Sequence, residues 1–215
     1  MNQITDVLIV GSGVSGIYCS LKLRQDLNVL LVTKSKLEDT NTYLAQGGIS
    51  TARNKEDIDL FIEDTLKAGQ YKNNVEAVEV LAKESIDNIK DLLKIGVDFD
   101  KSDDELTYTR EGAHSINRIV HTKDNTGESV EKALINEVKQ RKNITIYEDT
   151  YFVDLISNEN ECNGAILIKD NKQINVYSKV VVLATGGIGG VFRNSTNQRI
   201  LNGDGIAISL KHNIK

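Results

Sequence analysis

The chain has 215 residues, 40% of them hydrophobic and 27% charged, and carries a formal net charge of −5 at pH 7. That length buries a sizeable core without a disulfide framework, and a mildly acidic charge that alternates in sign along the chain argues against nucleic acid as a partner. No apolar run approaches the roughly eighteen residues of a membrane span and Met1–Asp6 has no secretory pattern, so the expectation is a cytoplasmic protein with no membrane partner. Cys19 and Cys162 belong to no CxxC or Cys/His cluster and read as ordinary thiols, and no metal site is expected. Proline is absent, where average usage would give roughly eleven, and nothing in the sequence explains the absence.

Asp6–Val10 (DVLIV) is a short apolar run that stops at Gly11, the pattern of a buried parallel strand. Val14–Leu27 places Val14, Ile17, Leu21 and Leu23 among charged residues, which predicts a helix; Asn28–Thr33 is a second apolar strand that completes a βαβ unit. Lys34–Thr51 is rich in Ser, Thr, Asn and Gly without periodicity and reads as a long loop, and loops this long in compact domains are usually functional. Helical spacing returns over Ile58–Ala68 and Val75–Ile95, ending near Gly69 and Gly96. Val97–His121 reads as short extended pieces between polar turns, and Asn125–Lys142 as one more helix.

From Ile144 to Leu183 the period changes to two. The segments ITIYED, TYFVDLI, CNGAILIK and QINVYS, with turns at Ser157–Glu161 and Lys169–Lys172, predict a β-meander leading into a last buried strand at Val180–Leu183. A Gly-rich turn (ATGGIGG) follows, and Gly203–His212 starts a closing helix. No repeat or linker divides these pieces, so residues 1–215 are expected to form a single α/β domain with a central parallel sheet, flanking helices and an added β-meander. The closing helix runs to Lys215 without a terminating element, which suggests the N-terminal part of a longer protein.

Gly11-Ser12-Gly13-Val14-Ser15-Gly16 matches GxGxxG between a buried strand and a helix. There the first glycine allows the tight turn, the second lets a pyrophosphate approach the backbone, and the third lets helix and strand pack closely. The helix N-terminus then offers N–H groups to an anion. The acidic residue usual after the second strand is missing; Thr33-Lys34-Ser35 stands there, and Lys34 could meet a ribose or a phosphate, which leaves NADP open on these residues alone.

Asn41-Thr42-Tyr43-Leu44-Ala45-Gln46-Gly47-Gly48 resembles the AQGG loop of the succinate dehydrogenase, fumarate reductase and L-aspartate oxidase flavoprotein superfamily, where this loop wraps the flavin side of FAD. Ala184-Thr185-Gly186-Gly187 looks like that superfamily's second FAD contact, and Asn202-Gly203-Asp204-Gly205 like its GDG. The resemblance implies a Rossmann-like FAD-binding domain with cofactor contacts at Gly11–Gly16, Lys34, Asn41–Gly48, Ala184, Thr185, Gly186 and Asp204. The position at which the respiratory members carry a flavin-linked histidine is Asn41 here, so the FAD is expected to be non-covalent. Thr109-Arg110-Glu111-Gly112-Ala113-His114-Ser115 resembles the TREGGHS signature of the L-aspartate oxidase family, with Ala113 in place of a glycine.

By that resemblance Glu111 reaches the substrate and meets the ammonium of an amino-dicarboxylate; the alternative is a surface carboxylate paired with Arg110. His114 and His121 read more readily as structural hydrogen-bonding residues, and Arg118, unassigned, could pair with an acid on the following helix. The family implies L-aspartate as substrate, iminosuccinate as product, oxygen or fumarate as acceptor, the first step of NAD biosynthesis, and quinolinate synthase as metabolic neighbour. The family's proton-transfer arginine belongs to sequence beyond Lys215, with its capping and helical domains, so this chain alone is expected to be inactive. Two alternatives stay open: a soluble fumarate reductase and a free-standing flavin-binding module.

Overall fold

A computed structural model describes residues 1–158 and 161–214. Along the chain run β1 (Asn2–Val10), α1 (Val14–Lys22), β2 (Val29–Val32), α2 (Asn41–Leu44), β3 (Ile49–Ser50), α3 (Ile58–Ala68), α4 (Val75–Ile95), β4 (Lys101–Ser102), β5 (Glu105–Leu106) and β6 (Ile119–Val120). They are followed by α5 (Thr126–Gln140), β7 (Ile144–Tyr147), β8 (Thr150–Asn158), β9 (Glu161–Lys169), β10 (Lys172–Leu183) and α6 (Asp204–Lys211). These elements fall into two compact units, one made of Met1–Leu44 with Leu134–Lys215 and the other of Ala45–Ala133.

The first unit is built on a six-stranded sheet in the order β7-β2-β1-β10-β9-β8. β7, β2, β1 and β10 run parallel, while β10, β9 and β8 form the antiparallel meander. Val7, Leu8, Ile9 and Val10 are all buried, as a strand covered on both faces requires. Leu8, Val10, Leu30, Val32, Ala165, Leu167 and Val176 form one hydrophobic cluster, so the meander and the parallel strands share a core.

Several boundaries differ from the sequence reading, each for a local reason. β1 begins at Asn2 because Asn2–Thr5 pair with Asn175–Ser178, a partner that the sequence does not reveal locally. α1 stops at Lys22 instead of Leu27: Leu23 turns extended, and Arg24 forks onto Asp26 at 2.9 and 2.5 Å, a spacing whose side chains do not face each other on a helix. The segment ITIYED is not part of the meander; Ile144–Tyr147 pair in parallel with Val29–Val32 at the opposite edge of the sheet. QINVYS and KVVVLA are one continuous strand, because β10 pairs with β9 over Lys172–Tyr177 and with β1 over Asn175–Leu183. The expected irregular loop at Lys34–Thr51 contains the single helical turn α2 and the short strand β3. The turn expected at Ser157–Glu161 includes residues 159–160, and with Lys215 these lie outside the described residues.

In the second unit α3 and α4 follow the expected boundaries to the residue. Their apolar stripes meet around Phe61 and Ala82, with Ala52 buried beside them and Ile58, Ile62 and Ile86 packed at the margin. Asn74 caps α4 by accepting from Ala77 N at 3.0 Å, and Gly96 ends it with a left-handed φ of 103°. β3 pairs with β6 and β4 with β5, both antiparallel. Among the described residues no helix is long and apolar enough to cross a membrane.

In the first unit the end of α6 is stapled to β8. Asp154 accepts hydrogen bonds from Lys211 and, at 2.6 Å, from His212 Nε2, while Ser157 Oγ lies 2.9 Å from His212 Nδ1. The Lys211 and His212 hydrogen bonds hold the Asp154 carboxyl at about 2, below the ordinary 3.8. A carboxyl whose folded value is depressed stabilises the protein above its unfolded value, and that contribution disappears as pH falls through the folded one. Lys211 is largely exposed, so solvent screening holds the contribution to about 1 kcal/mol. Asp154→Asn should therefore lower stability by about 1 kcal/mol at neutral pH, and the deficit should shrink as pH is taken from 3.8 down to 2. Thermal melts across that range check this, and a deficit that stays constant with pH would reject the assignment.

Candidate functional site

A cleft of about 440 Å³ opens in the first unit where β1 and β10 end side by side. Its walls are the Gly11–Ser15 turn, Thr33 and Lys34 after β2, Asn41 and Thr42 of α2, Ala184–Gly186 after β10, and Ile200–Asp204 before and at the start of α6. The glycines give the turn its shape. Gly11 has φ +117°, and a Cβ there would lie 2.1 Å from Ala184 O, so the two strand ends close together only without a side chain. Gly16 does not line the cleft; it packs behind the turn, where a Cβ would come within 1.9 Å of Gly11 O. At Gly13 the nearest atom to a Cβ would be Thr42 Oγ1 at 3.4 Å, so this backbone faces the opening. No side chain caps α1 at Gly13, and Val14 N donates to Thr42 Oγ1 at 3.0 Å.

The polar side chains around the cleft hold one another. Lys34 Nζ donates to Asn202 Oδ1 at 2.7 Å and pairs with Asp204 Oδ2 at 2.5 Å, joining the end of β2 to the start of α6. The Ser12 hydroxyl is buried and donates inward, to Thr33 Oγ1 at 2.9 Å or Leu37 O at 3.1 Å, so it fixes the turn to the chain after β2. Asn41 uses both ends of its amide: it donates to Asn197 Oδ1 at 2.5 Å and accepts from Gln198 N at 2.9 Å. Tyr43 and Leu44 complete α2 without lining the cleft.

The remaining predicted residues belong to the second unit. Ala45 O accepts from Gly127 N at 2.9 Å and Gln46 is exposed. A Cβ at Gly48 would lie 2.3 Å from both Ile119 Cγ2 and Val120 O, so β3 pairs with β6 because that residue is glycine. A Cβ at Gly47 would lie 3.7 Å from Glu111 Oε1, which brings the AQGG and TREGAHS segments together. Glu111 is exposed, and among the described residues its carboxylate forms no ion pair with Arg110.

His114 Nε2 lies 3.2 Å from Ser50 Oγ, and His121 pairs with Asp100 at 3.1 Å. Arg118 is fully buried and pairs with acids, but those of the preceding segment instead of the following helix: Asp57 at 2.6 Å and Asp64 at 3.1 Å. Burial alone would raise the Asp64 carboxyl, yet the hydrogen bonds from Ser115 and the Arg118 charge bring it below the usual value.

The comparisons with known proteins converge on one family. The FAD binding domain family matches residues 6–215. The chain belongs to this family. An L-aspartate oxidase of Clostridium perfringens is 53% identical to it over 215 residues, 100% of this chain and 49% of the relative. One of Clostridium acetobutylicum is 57% identical, covering 100% of this chain and 50% of the relative. The chain thus spans about half the length of these curated relatives. Among solved structures, Mycobacterium smegmatis Sdh1 in complex with UQ1 superposes with a TM-score of 0.91 at 27% identity, covering 98% of this chain and 38% of that one.

The cleft suits the cofactor of the FAD-binding family. Its volume lies within the roughly 300–1,000 Å³ of small-molecule sites, and a helix N-terminus beside an open glycine backbone favours an anionic pyrophosphate. Sequence patterns did not single out Thr150 and Phe152, which reach the cleft from β8. They sit inside an ordinary alternating strand, and only the folded sheet brings them there.

Ala113, which stands where the TREGGHS signature that this segment resembles has a glycine, takes a φ of +75° that glycine adopts freely and alanine does not. Ala113→Gly should relieve about 1 kcal/mol of backbone strain, partly offset by the greater freedom of glycine in the unfolded chain. Chemical denaturation of the two proteins measures the difference; a loss of more than about 1 kcal/mol would show that the left-handed turn is unstrained.

Proposed function

We propose that this chain is the FAD-binding part of an L-aspartate oxidase, a cytoplasmic enzyme that converts L-aspartate to iminosuccinate with oxygen or fumarate as electron acceptor, in the first step of NAD biosynthesis. The observation that carries the reading is the Thr109–Ser115 signature, in a chain 53% and 57% identical along its whole length to two proteins named L-aspartate oxidase. Quinolinate synthase, which consumes unstable iminosuccinate, is the metabolic neighbour in this proposal.

In this reading the backbone of Gly11–Ser15 at the start of α1 holds the pyrophosphate, with Gly16 packed behind it. Lys34 and Asp204, already bonded to each other at 2.5 Å, present a cation and a carboxylate to the sugar hydroxyls and phosphates, and Ala184–Gly186 lie against the cofactor from the end of β10. Asn41 and Thr42, which line the cleft from α2, are assigned to the flavin side, with Asn41 unable to form a covalent link. When bound, the flavin supplies a two-electron acceptor that no side chain provides. Glu111 binds the substrate ammonium, a charge-assisted contact that orients the α-carbon. The two substrate carboxylates call for a cationic clamp, a task that the planar guanidinium of arginine suits.

Anaerobic addition of L-aspartate to the full-length protein should bleach the visible flavin band, and succinate should not. A flavin spectrum indifferent to aspartate but coupled to fumarate turnover would replace the proposal with a fumarate reductase. Glu111→Gln should keep its flavin absorbance and lose about ten- to a hundredfold in kcat/KM for aspartate, as expected for one hydrogen bond to a charged group.

A further inference from the structure

The Thr109–Arg118 segment is an exposed excursion whose neck is closed by backbone: Thr109 N donates to Ile119 O at 2.9 Å, and Thr109 O accepts from Arg118 N and Ile119 N at 3.0 Å each. Nothing in those bonds fixes the tip that carries Glu111. The tip is held from the side by Asp64 of α3, whose two carboxylate oxygens are divided between the descending limb and the neck. Oδ2 accepts from Ser115 N at 2.8 Å and from Arg118 Nη2 at 3.1 Å, and Oδ1 accepts from Ser115 Oγ at 2.5 Å.

Arg118 extends the connection. Its Nη1 donates to Asp57 Oδ2 at 2.6 Å, the same oxygen accepts from Arg53 N at 3.0 Å, and the guanidinium lies 4.9 Å from the centre of the Phe61 ring. An arginine with no exposed surface between two buried carboxylates is costly to desolvate, and removing one partner of such a pair leaves an uncompensated buried charge, which holds the three side chains together. Helix α3, packed on the Phe61–Ala82 core, therefore serves as the rigid base of the excursion.

We propose that Asp64 is a positioning residue: through Ser115 and Arg118 it fixes the loop that presents Glu111, so that the substrate-facing carboxylate is set by a buried network one helix away from it. The latch rests on these contacts alone. Its consequence for turnover rests on the L-aspartate oxidase reading.

The full-length protein tests both, with trypsin as the reporter, because Arg110 is exposed at the loop tip. Ser115→Ala removes one of the two Ser115 bonds and should raise the native-state rate of cleavage after Arg110 about fivefold. Asp64→Asn, which keeps an acceptor but loses the charge, should raise it more than tenfold. Cleavage after Arg24 and Arg193, exposed in the other unit, should not change. In both variants KM for L-aspartate should rise with kcat nearly constant.

Unchanged cleavage after Arg110 in a folded Ser115→Ala protein overturns the latch, and should Asp64→Asn fail to fold, that variant alone decides. Cleavage that rises at all three arginines together also overturns it, because the effect is then global unfolding. Faster cleavage at Arg110 with an unchanged KM leaves the latch standing and removes Glu111 from the substrate site.

Discussion

The first unit depends on how closely two parallel strand ends approach each other. β1 and β10 are neighbours in register from Asn2 to Val10, so their C-terminal ends, Val10 and Leu183, finish at the same level. The turns that follow must then share one volume. With φ +117° at Gly11 and only 2.1 Å between a Cβ there and Ala184 O, that volume accommodates backbone and little else. The cleft is what remains above the join, and its walls are the turns that the join forces upward. This is the crevice outside the carboxyl ends of parallel strands in which α/β sheets place their ligands.

The same constraint explains which parts of the architecture were legible in the sequence. Val7–Val10 and Val29–Val32 announced themselves because strands covered on both faces need unbroken apolar runs, and the glycine spacing after Val10 has a steric cause. α3 and α4 were legible to the residue because their ends are set locally, by Asn74, Gly69 and Gly96. β7 was misplaced because pairing partners are a property of the sheet, and ITIY carries no mark of whether its neighbour is Val29–Val32 or the meander. The division of β10 failed for a related reason. Ser178 and Lys179 look like a break, yet they lie inside a ladder whose other side is β1.

Site residues divide along similar lines. Gly11, Gly13, Lys34, Thr42, Thr185 and Asp204 were named from motifs and do line the cleft, since each motif sits at the end of a strand or the start of a helix that the sheet carries to one place. Thr150 and Phe152 could not be read that way. The pairing of Lys34 with Asp204, separated by most of the chain, likewise has no sequence signal, nor does the burial of Arg118 between Asp57 and Asp64. In both cases the residue types were visible and the partners were not.

β10 belongs to two ladders at once. Over Asn175–Tyr177 it is paired with β9 on one edge and β1 on the other, and the meander continues from there to β8. Because the strand is continuous, Asn175–Tyr177 are held from both edges, and the register against β1 sets the height of Ala184 beside Gly11. One residue of slip of β10 against β1 corresponds to about 3.3 Å along the strand, enough to carry Ala184 away from the glycine that makes room for it. The meander, whose strand β8 brings Thr150 and Phe152 to the lining, thus braces from its far edge the strand on which the depth of the cleft is cut.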